Sequence, residues 1–346
     1  MREIHSYEKF INRFPDKTIM VIGDLMIDRY IEGDVTRISP EAPVPVIKLN
    51  GKEQNIFGGA GNVYNNLIGL GCNDVRLIGV VGSDDDGIFI RDHIDSINLW
   101  SHGIIFDESR PTIVKTRIIA QQQQLTRMDR ESTKSIEGNV RTTLKKRIYE
   151  QIYSNEIDGI IISDYEKGLL DEDIIEYVQD LAIRRGIPTF VDPKKDNFKY
   201  YKRCTVVMPN RTEAYNYTDT VVTDIQSAIW SATTIRNWLQ CKNIVLKMGE
   251  CGMLLLNWDE TYSIKSIKRQ VFDVIGAGDT AIAAFALAYV SGARLEESTV
   301  IANESAGIVV SEHRTTSITS DKLKKSLLLD NTERIHVICE DTKKER

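Results

Sequence analysis

One segment restricts the fold of this chain more than any other: Ala281-Ile282-Ala283-Ala284-Phe285-Ala286-Leu287-Ala288-Tyr289-Val290. As a helix it has almost no polar face, and a helix that is apolar all round must be buried on every side. It therefore belongs in the middle of a large core, between other layers of secondary structure. The residues before it, Gly276-Ala277-Gly278-Asp279, form a turn small enough for an anion to reach successive backbone N–H groups. The helix dipole adds roughly half a positive charge at that point, so the motif reads as an anion hole. Asp279 beside it suits a base that deprotonates a hydroxyl as it attacks a phosphoryl group. The same residue fits as an ordinary first-turn acid, and the local sequence leaves both readings open.

The chain has 346 residues, enough for one large α/β domain or two smaller ones. Its 42% hydrophobic and 27% charged residues are ordinary for a globular protein and exclude disordered or fibrous classes. With 44 Lys and Arg against 50 Asp and Glu the net charge is −6, which offers no general attraction for nucleic acid or anionic lipid. A phosphorylated ligand then needs a locally basic pocket. No apolar run approaches the roughly 18 residues of a membrane span. Met1 to Lys17 also lacks the apolar stretch of a signal peptide, so a cytoplasmic location is expected, with no membrane and no nucleic-acid partner. Cys72, Cys204, Cys241, Cys251 and Cys339 contain no C-x-x-C pair and are expected to be buried reduced thiols. The histidines stand singly, without metal-ligand spacing.

Short apolar runs at Thr18 to Asp24, Val75 to Val81, Gly159 to Ser163, Pro188 to Val191, Thr205 to Met208 and Asn243 to Met248 alternate with segments of helical period. That alternation predicts a mostly parallel sheet covered on both faces, with function at the C-terminal ends of its strands. Residues about 30–49, with Pro40, Pro43 and Pro45, and about 104–128 break the rhythm with strand-like alternation. They are expected to form one small sheet, a lid over the C-terminal edge of the main one. The expectation is a single domain over residues 1–330 carrying this lid, then a C-terminal segment and solvated tail at 331–346.

Gly58-Gly59-Ala60-Gly61-Asn62 opens a second helical segment. The paired glycines let a polyhydroxy ligand approach the backbone, and Asn62 offers donor and acceptor to sugar hydroxyls; a tight turn packed on the sheet also accounts for them. Asn210-Arg211-Thr212-Glu213 follows one strand and Lys247-Met248-Gly249 the next, a rim suited to a nucleotide phosphate chain. Asn210 and Glu213 equally have the spacing of a capping box. Neither a P-loop nor a G-x-G-x-x-G fingerprint after the first strand is present.

Taken in order, Gly58 to Asn62, Asn210 to Glu213 and Asp273-Val274-Ile275-Gly276-Ala277-Gly278-Asp279-Thr280 resemble the ribokinase (PfkB) family of sugar kinases. Within it, Gly23-Asp24-Leu25-Met26-Ile27-Asp28-Arg29-Tyr30 and Thr36-Arg37-Ile38-Ser39-Pro40-Glu41-Ala42-Pro43-Val44-Pro45 are similar to the D-glycero-β-D-manno-heptose 7-phosphate kinases. Matches at Gln123 to Asp129, Ser163-Asp164-Tyr165 with Lys167-Gly168, Asp192-Pro193-Lys194 and Ala302-Asn303 extend the resemblance over roughly residues 18–318. It implies a ribokinase-like three-layer α/β/α sandwich with a small β lid. It also implies transfer of the ATP γ-phosphoryl group to the anomeric hydroxyl of the heptose phosphate, toward nucleotide-activated heptose for surface glycans. ATP and Mg²⁺ are the implied cofactors, and a homodimer through the lid is the implied assembly.

By motif position the resemblance makes Asp279 the base and Gly276, Ala277 and Gly278 the anion hole. It sets Asn210, Arg211, Thr212, Glu213, Lys247, Gly249 and Asn303 along the nucleotide, Glu213 toward Mg²⁺, and Asp28, Gly58, Gly59 and Asn62 on the sugar. Lys194 and Arg127, with Lys167 and Arg37, are candidates by charge for the sugar's phosphate, and a solvated surface role is open for each. Three positions depart from the pattern: Ile275 replaces a usual Thr, Lys195 a usual Gly, and Ser311-Glu312-His313-Arg314 a usually glycine-containing stretch. Bifunctional relatives carry a nucleotidyltransferase domain after the kinase, and this chain ends about 30 residues past the last match, so adenylylation is expected to fall to another protein. The competing readings are a ribokinase-type kinase of another sugar, sugar phosphate or nucleoside, and a catalytically silent sugar-phosphate-binding protein on the same fold.

Overall fold

The computed structural model describes residues 7–96, 100–121, 123–154, 156–267, 269–312, 317–329 and 335–338. Its strands are β1 (Thr18–Gly23), β2 (Leu25–Ile38), β3 (Pro45–Gly59), β4 (Asp74–Gly82), β5 (Ile104–Asp107), β6 (Ile113–Ala120), β7 (Gln123–Arg130), β8 (Gly159–Ser163), β9 (Thr189–Asp192), β10 (Val206–Val207), β11 (Asn243–Lys247), β12 (Met253–Leu256), β13 (Thr261–Ile264) and β14 (Ile335–Ile338). The main sheet runs β14-β13-β12-β11-β10-β9-β8-β1-β4-β5. It is parallel from β11 to β5, and β12, β13 and β14 add to its edge as antiparallel strands. Along β1, Ile19 and Val21 face one core and Met20 and Ile22 the other, as the two-residue period of a strand dictates. Helices Ala60–Gly69, Ala277–Val290 and Leu295–Val309 cover the first face; Glu172–Arg185 and Ile225–Leu239 cover the second. The expected three-layer α/β/α sandwich is the observed architecture.

The apolar helix is buried from Asp279 to Ala288, packed against β8 and β9 between the two neighbouring helices of its face. Its alanines permit that close approach on several sides at once, which larger side chains would prevent.

The chain leaves β1 at Asp24 and enters a second sheet, of order β3-β2-β6-β7. This is the small lid sheet, with β2 parallel to β6 and the other pairs antiparallel. Its boundaries differ from the sequence reading. β2 and β3 extend over residues 25–59, and Ile104–Asp107 joins the main sheet beside β4. A short apolar run, Ile104-Ile105-Phe106, fits either sheet; what settles its place is the helix Asp85–Ser96, which carries the chain from β4 to a parallel neighbour. Ile335–Ile338, read as part of a separate C-terminal segment, pairs with β13. Residues 339–346, which include Cys339 and the expected tail, lie outside the described residues. No helix among the described residues is long and apolar enough to cross a membrane.

Candidate active site

Because β11, β10, β9, β8 and β1 are parallel neighbours, their C-terminal ends line up in space. The turns there carry, in that order, Lys247, then Asn210 and Glu213, then Asp192 and Lys194, then Asp164 and Tyr165, then Asp24. The buried helix brings its N-terminus to the same edge. A methyl group added at Gly278 would stand 3.4 Å from Lys247 Nζ and 3.6 Å from Asp192 Oδ2. The helix start is capped by Gly276 in the left-handed region, φ 78°, a conformation that favours glycine. Its first-turn N–H groups have no partner within the helix, although that of Ala277 makes a long hydrogen bond, 3.4 Å, to the Val274 carbonyl before it.

Asp279 is 3% exposed. Asn62 Nδ2 donates to its Oδ2 at 2.7 Å, and the Tyr165 hydroxyl donates to its Oδ1 at 2.7 Å. Burial and the nearby Asp192 carboxylate push its pKa up to about 7, even though Asn62, Tyr165 and Lys247 favour the charged form. Asn62 is oriented in turn by Asn66, whose Nδ2 donates to the Asn62 backbone carbonyl at 2.8 Å and to its Oδ1 at 3.2 Å. Asn66 Oδ1 accepts from the Thr280 hydroxyl at 3.0 Å, which closes the network between the two helices.

Two lysines stand in ion pairs at this edge. Lys247 Nζ pairs with Asp192, and Lys194 Nζ with Glu213 Oε1 at 2.5 Å. Burial works against the charge on Lys194, but Asp192 and Glu213 outweigh it and raise its pKa. Glu213 Oε2 accepts from the Asn210 N–H at 2.8 Å while Asn210 Oδ1 accepts from the Glu213 N–H at 2.9 Å, so the capping box is real and its acid also reaches the site.

The lid contributes Asp28 of β2, whose Oδ1 pairs with Arg117 of β6, both buried. On the neighbouring strand β3, where Gly58 pairs with Met26, a Cβ at Gly58 would lie 2.5 Å from Asp28 Oδ2, so a side chain there would displace the carboxylate. Gly59 then caps the helix that carries Asn62. Asp28, Gly58, Gly59, Asn62, Asp279, Gly276, Ala277, Gly278, Lys194, Glu213, Asn210 and Lys247 are thus linked through these contacts and helix starts.

Other sequence candidates stand apart. Asn303 is occupied: Oδ1 accepts from Ser266 at 3.0 Å and Nδ2 donates to the Lys265 carbonyl at 3.0 Å. Arg127 lies on the exposed strand β7 and grips Asp129 at 2.8 and 2.9 Å. Lys167 pairs with Glu131 at 2.8 Å, Arg37 is exposed near the end of β2, and Thr212 and Gly249 are exposed. Arg211 is half-buried beside Thr212. Cys72, Cys204 and Cys241 are buried as expected, whereas Cys251 is exposed. Several residues of the site were not singled out for a role, among them Tyr165, Arg117, Asp24, Asp192 and Asn66. Tyr165 lay inside a matched motif, Asp24 ended an apolar run, and Arg117 had no local signal.

Residues 16–322 match the model of the pfkB family carbohydrate kinases. The bifunctional protein HldE of Granulibacter bethesdensis is 37% identical over 321 residues, 91% of this chain and 65% of that protein. HldE of Helicobacter hepaticus is 37% identical over 292 residues, 84% and 60% of the two chains. The chain therefore spans less than two thirds of the length of these curated relatives. Among solved structures it is similar to phosphofructokinase-2 from Escherichia coli in complex with substrates and products (TM-score 0.72, 16% identity, 90% of this chain and 98% of that one). It is also similar to Arabidopsis thaliana ribokinase complexed with ribose and ATP (TM-score 0.69, 18% identity, 90% and 98%). With the family match running through nearly the whole sandwich and lid, the chain belongs to the pfkB family of carbohydrate kinases, phosphotransferases with an alcohol group as acceptor.

Proposed function

We propose that this chain transfers the γ-phosphoryl group of ATP to the anomeric O1 of D-glycero-β-D-manno-heptose 7-phosphate, giving the 1,7-bisphosphate used for nucleotide-activated heptose. The observation that carries the kinase chemistry is a buried carboxyl, Asp279, held by two donors beside the open N-terminus of an apolar helix. In this reading Asp279 takes the proton of O1–H while O1 forms a bond to the γ-phosphorus and ADP leaves with the electron pair of the broken P–O bond. The N–H groups at Gly276, Ala277 and Gly278, with Lys247 next to Gly278, oppose the charge spread over the phosphoryl oxygens. Asp28, Gly58, Gly59 and Asn62 face the sugar, and Arg117 fixes the Asp28 carboxylate.

Mg²⁺ would neutralise the phosphate chain. Among the described residues no group of three or more His, Cys, Asp or Glu forms a metal cage. Both Glu213 oxygens already accept hydrogen bonds, from Asn210 and Lys194. With both oxygens so engaged, the ion would be held by the nucleotide phosphates and its own waters, and Glu213 would accept a hydrogen bond from one of those waters. Asn210, Arg211, Thr212 and Gly249 border the nucleotide in this reading, Lys194 faces the heptose phosphate, and Arg127 and Asn303 serve structure. The heptose assignment rests on the residues 23–45 resemblance and on relatives of HldE type.

The test is ADP release with MgATP and heptose 7-phosphate, fructose 6-phosphate, ribose, adenosine or no acceptor, with Asp279→Asn in parallel. Release only with the heptose phosphate, and about 10²- to 10⁴-fold lower in the variant, is expected. Release with another acceptor overturns the substrate, and full turnover of Asp279→Asn overturns the base.

A further inference from the structure

Tyr165 lies in the turn after β8, and nothing in its motif assigns it a task. Its hydroxyl is the donor on Asp279 Oδ1, as Asn62 Nδ2 is on Oδ2. The turn is pinned from below. Asp24, at the end of β1, accepts the backbone N–H groups of Tyr165 and Lys167 on Oδ2 at 2.9 and 3.2 Å and that of Leu169 on Oδ1 at 3.4 Å. Glu166 between them sits in the left-handed region, φ 56°.

The geometry points to Tyr165 as a positioning residue for the base: its hydroxyl fixes the Asp279 carboxylate, stabilises the charged form and leaves one set of lone pairs for the sugar hydroxyl. This rests on the reading of Asp279 given above. An ionised carboxylate only accepts, so each donor on it favours ionisation. Tyr165 remains a donor throughout, because burial and the Asp279 and Asp192 carboxylates raise its own pKa well above the ordinary tyrosine value. The other groups that face this carboxylate are Asp192 at the end of β9, Lys194 after it, Lys247 at the end of β11 and Asn62 on the adjacent helix, with Asp28 of the lid acting on the phenol. Of these groups only Asn62 donates a hydrogen bond to the carboxylate, and it does so at Oδ2, so Tyr165→Phe removes the donor at Oδ1.

The experiment uses the full chain carrying Tyr165→Phe, which keeps the ring and its packing. Turnover is followed from about pH 5.5 to about pH 9 with any acceptor the protein uses. In parallel, the Asp279 carboxyl carbon of the unliganded protein is titrated by NMR, its signal assigned by its loss in Asp279→Asn. Both midpoints are expected to rise by about one pH unit, the effect of one charge-assisted hydrogen bond, with kcat about tenfold lower at pH 6 and largely recovered at pH 9. The KM for the acceptor is expected to change little. An unchanged carboxyl midpoint, or a loss of kcat that is equal at every pH, overturns the proposal. If no acceptor is turned over, the kinase reading fails while the carboxyl titration still decides the Tyr165–Asp279 coupling.

Discussion

A buried carboxyl group set near another acid gives up its proton reluctantly, and the two donors on Asp279 only partly offset this. The balance at about 7 matters because a general base works only when unprotonated and works best when its pKa lies near the operating pH. The sign follows directly. As pH falls below about 7 the protonated, inactive form accumulates, so kcat/KM is expected to drop about tenfold per pH unit there and to level off above. A profile at saturating MgATP and limiting acceptor measures it. An acid limb near pH 4, where an ordinary carboxylate titrates, would show that a different group limits the rate.

At the scale of the element, the turn after β8 is held by two acids, Asp164, which accepts the Glu166 N–H, and Asp24, which accepts three further N–H groups. Asp24 is itself buried, and burial together with Asp164 pushes its pKa up to about 6, opposed by the N–H groups of Tyr165, Lys167 and Leu169. A carboxylate there is costly and is retained by those donors. Asp24→Ala removes the acceptor for all three and is expected to speed their amide exchange about ten- to hundredfold, equivalent to about 1–3 kcal/mol, while the core strands keep their protection. Hydrogen exchange with mass spectrometry reads this out. Uniform loss of protection across β1, β8 and β9 would instead mark Asp24 as part of the global core.

At the scale of the whole molecule, the lid is tied to the sandwich by charge. Asp86, on the helix after β4, pairs with Arg29 of β2 and with Arg130 of β7, and Glu131 pairs with Lys167. The lid carries exposed Ile38, Val44, Leu49, Leu125 and Met128, and β7 is exposed along its length. Sheet edges and apolar patches of this kind are normally covered, which supports the reading of a homodimer through the lid. Light scattering at micromolar concentration is expected to give twice the chain mass, and Met128→Asp to weaken association at least about tenfold by burying a charge. A wild-type monomer would remove the lid dimer from the account.

What the sequence by itself determined is whatever is written in local pattern. Two-residue and helical periods located β1, β4, β8, β9, β10 and β11, the absence of a polar face buried the helix at 277–290, and the glycines before it marked that helix's start, with Asp279 in its first turn. The tertiary structure alone decided which partners those residues meet. Asn62 reaches Asp279 across 217 positions and Arg117 reaches Asp28 across 89, through helix packing and strand register that leave no trace in the neighbouring residues. The same holds for Asn303, whose amide is consumed by Ser266 and Lys265, and for β5, whose short apolar run fits either sheet until the crossover helix places it. Local chemistry chooses which groups are available; the order of parallel strands chooses which of them share one carboxylate.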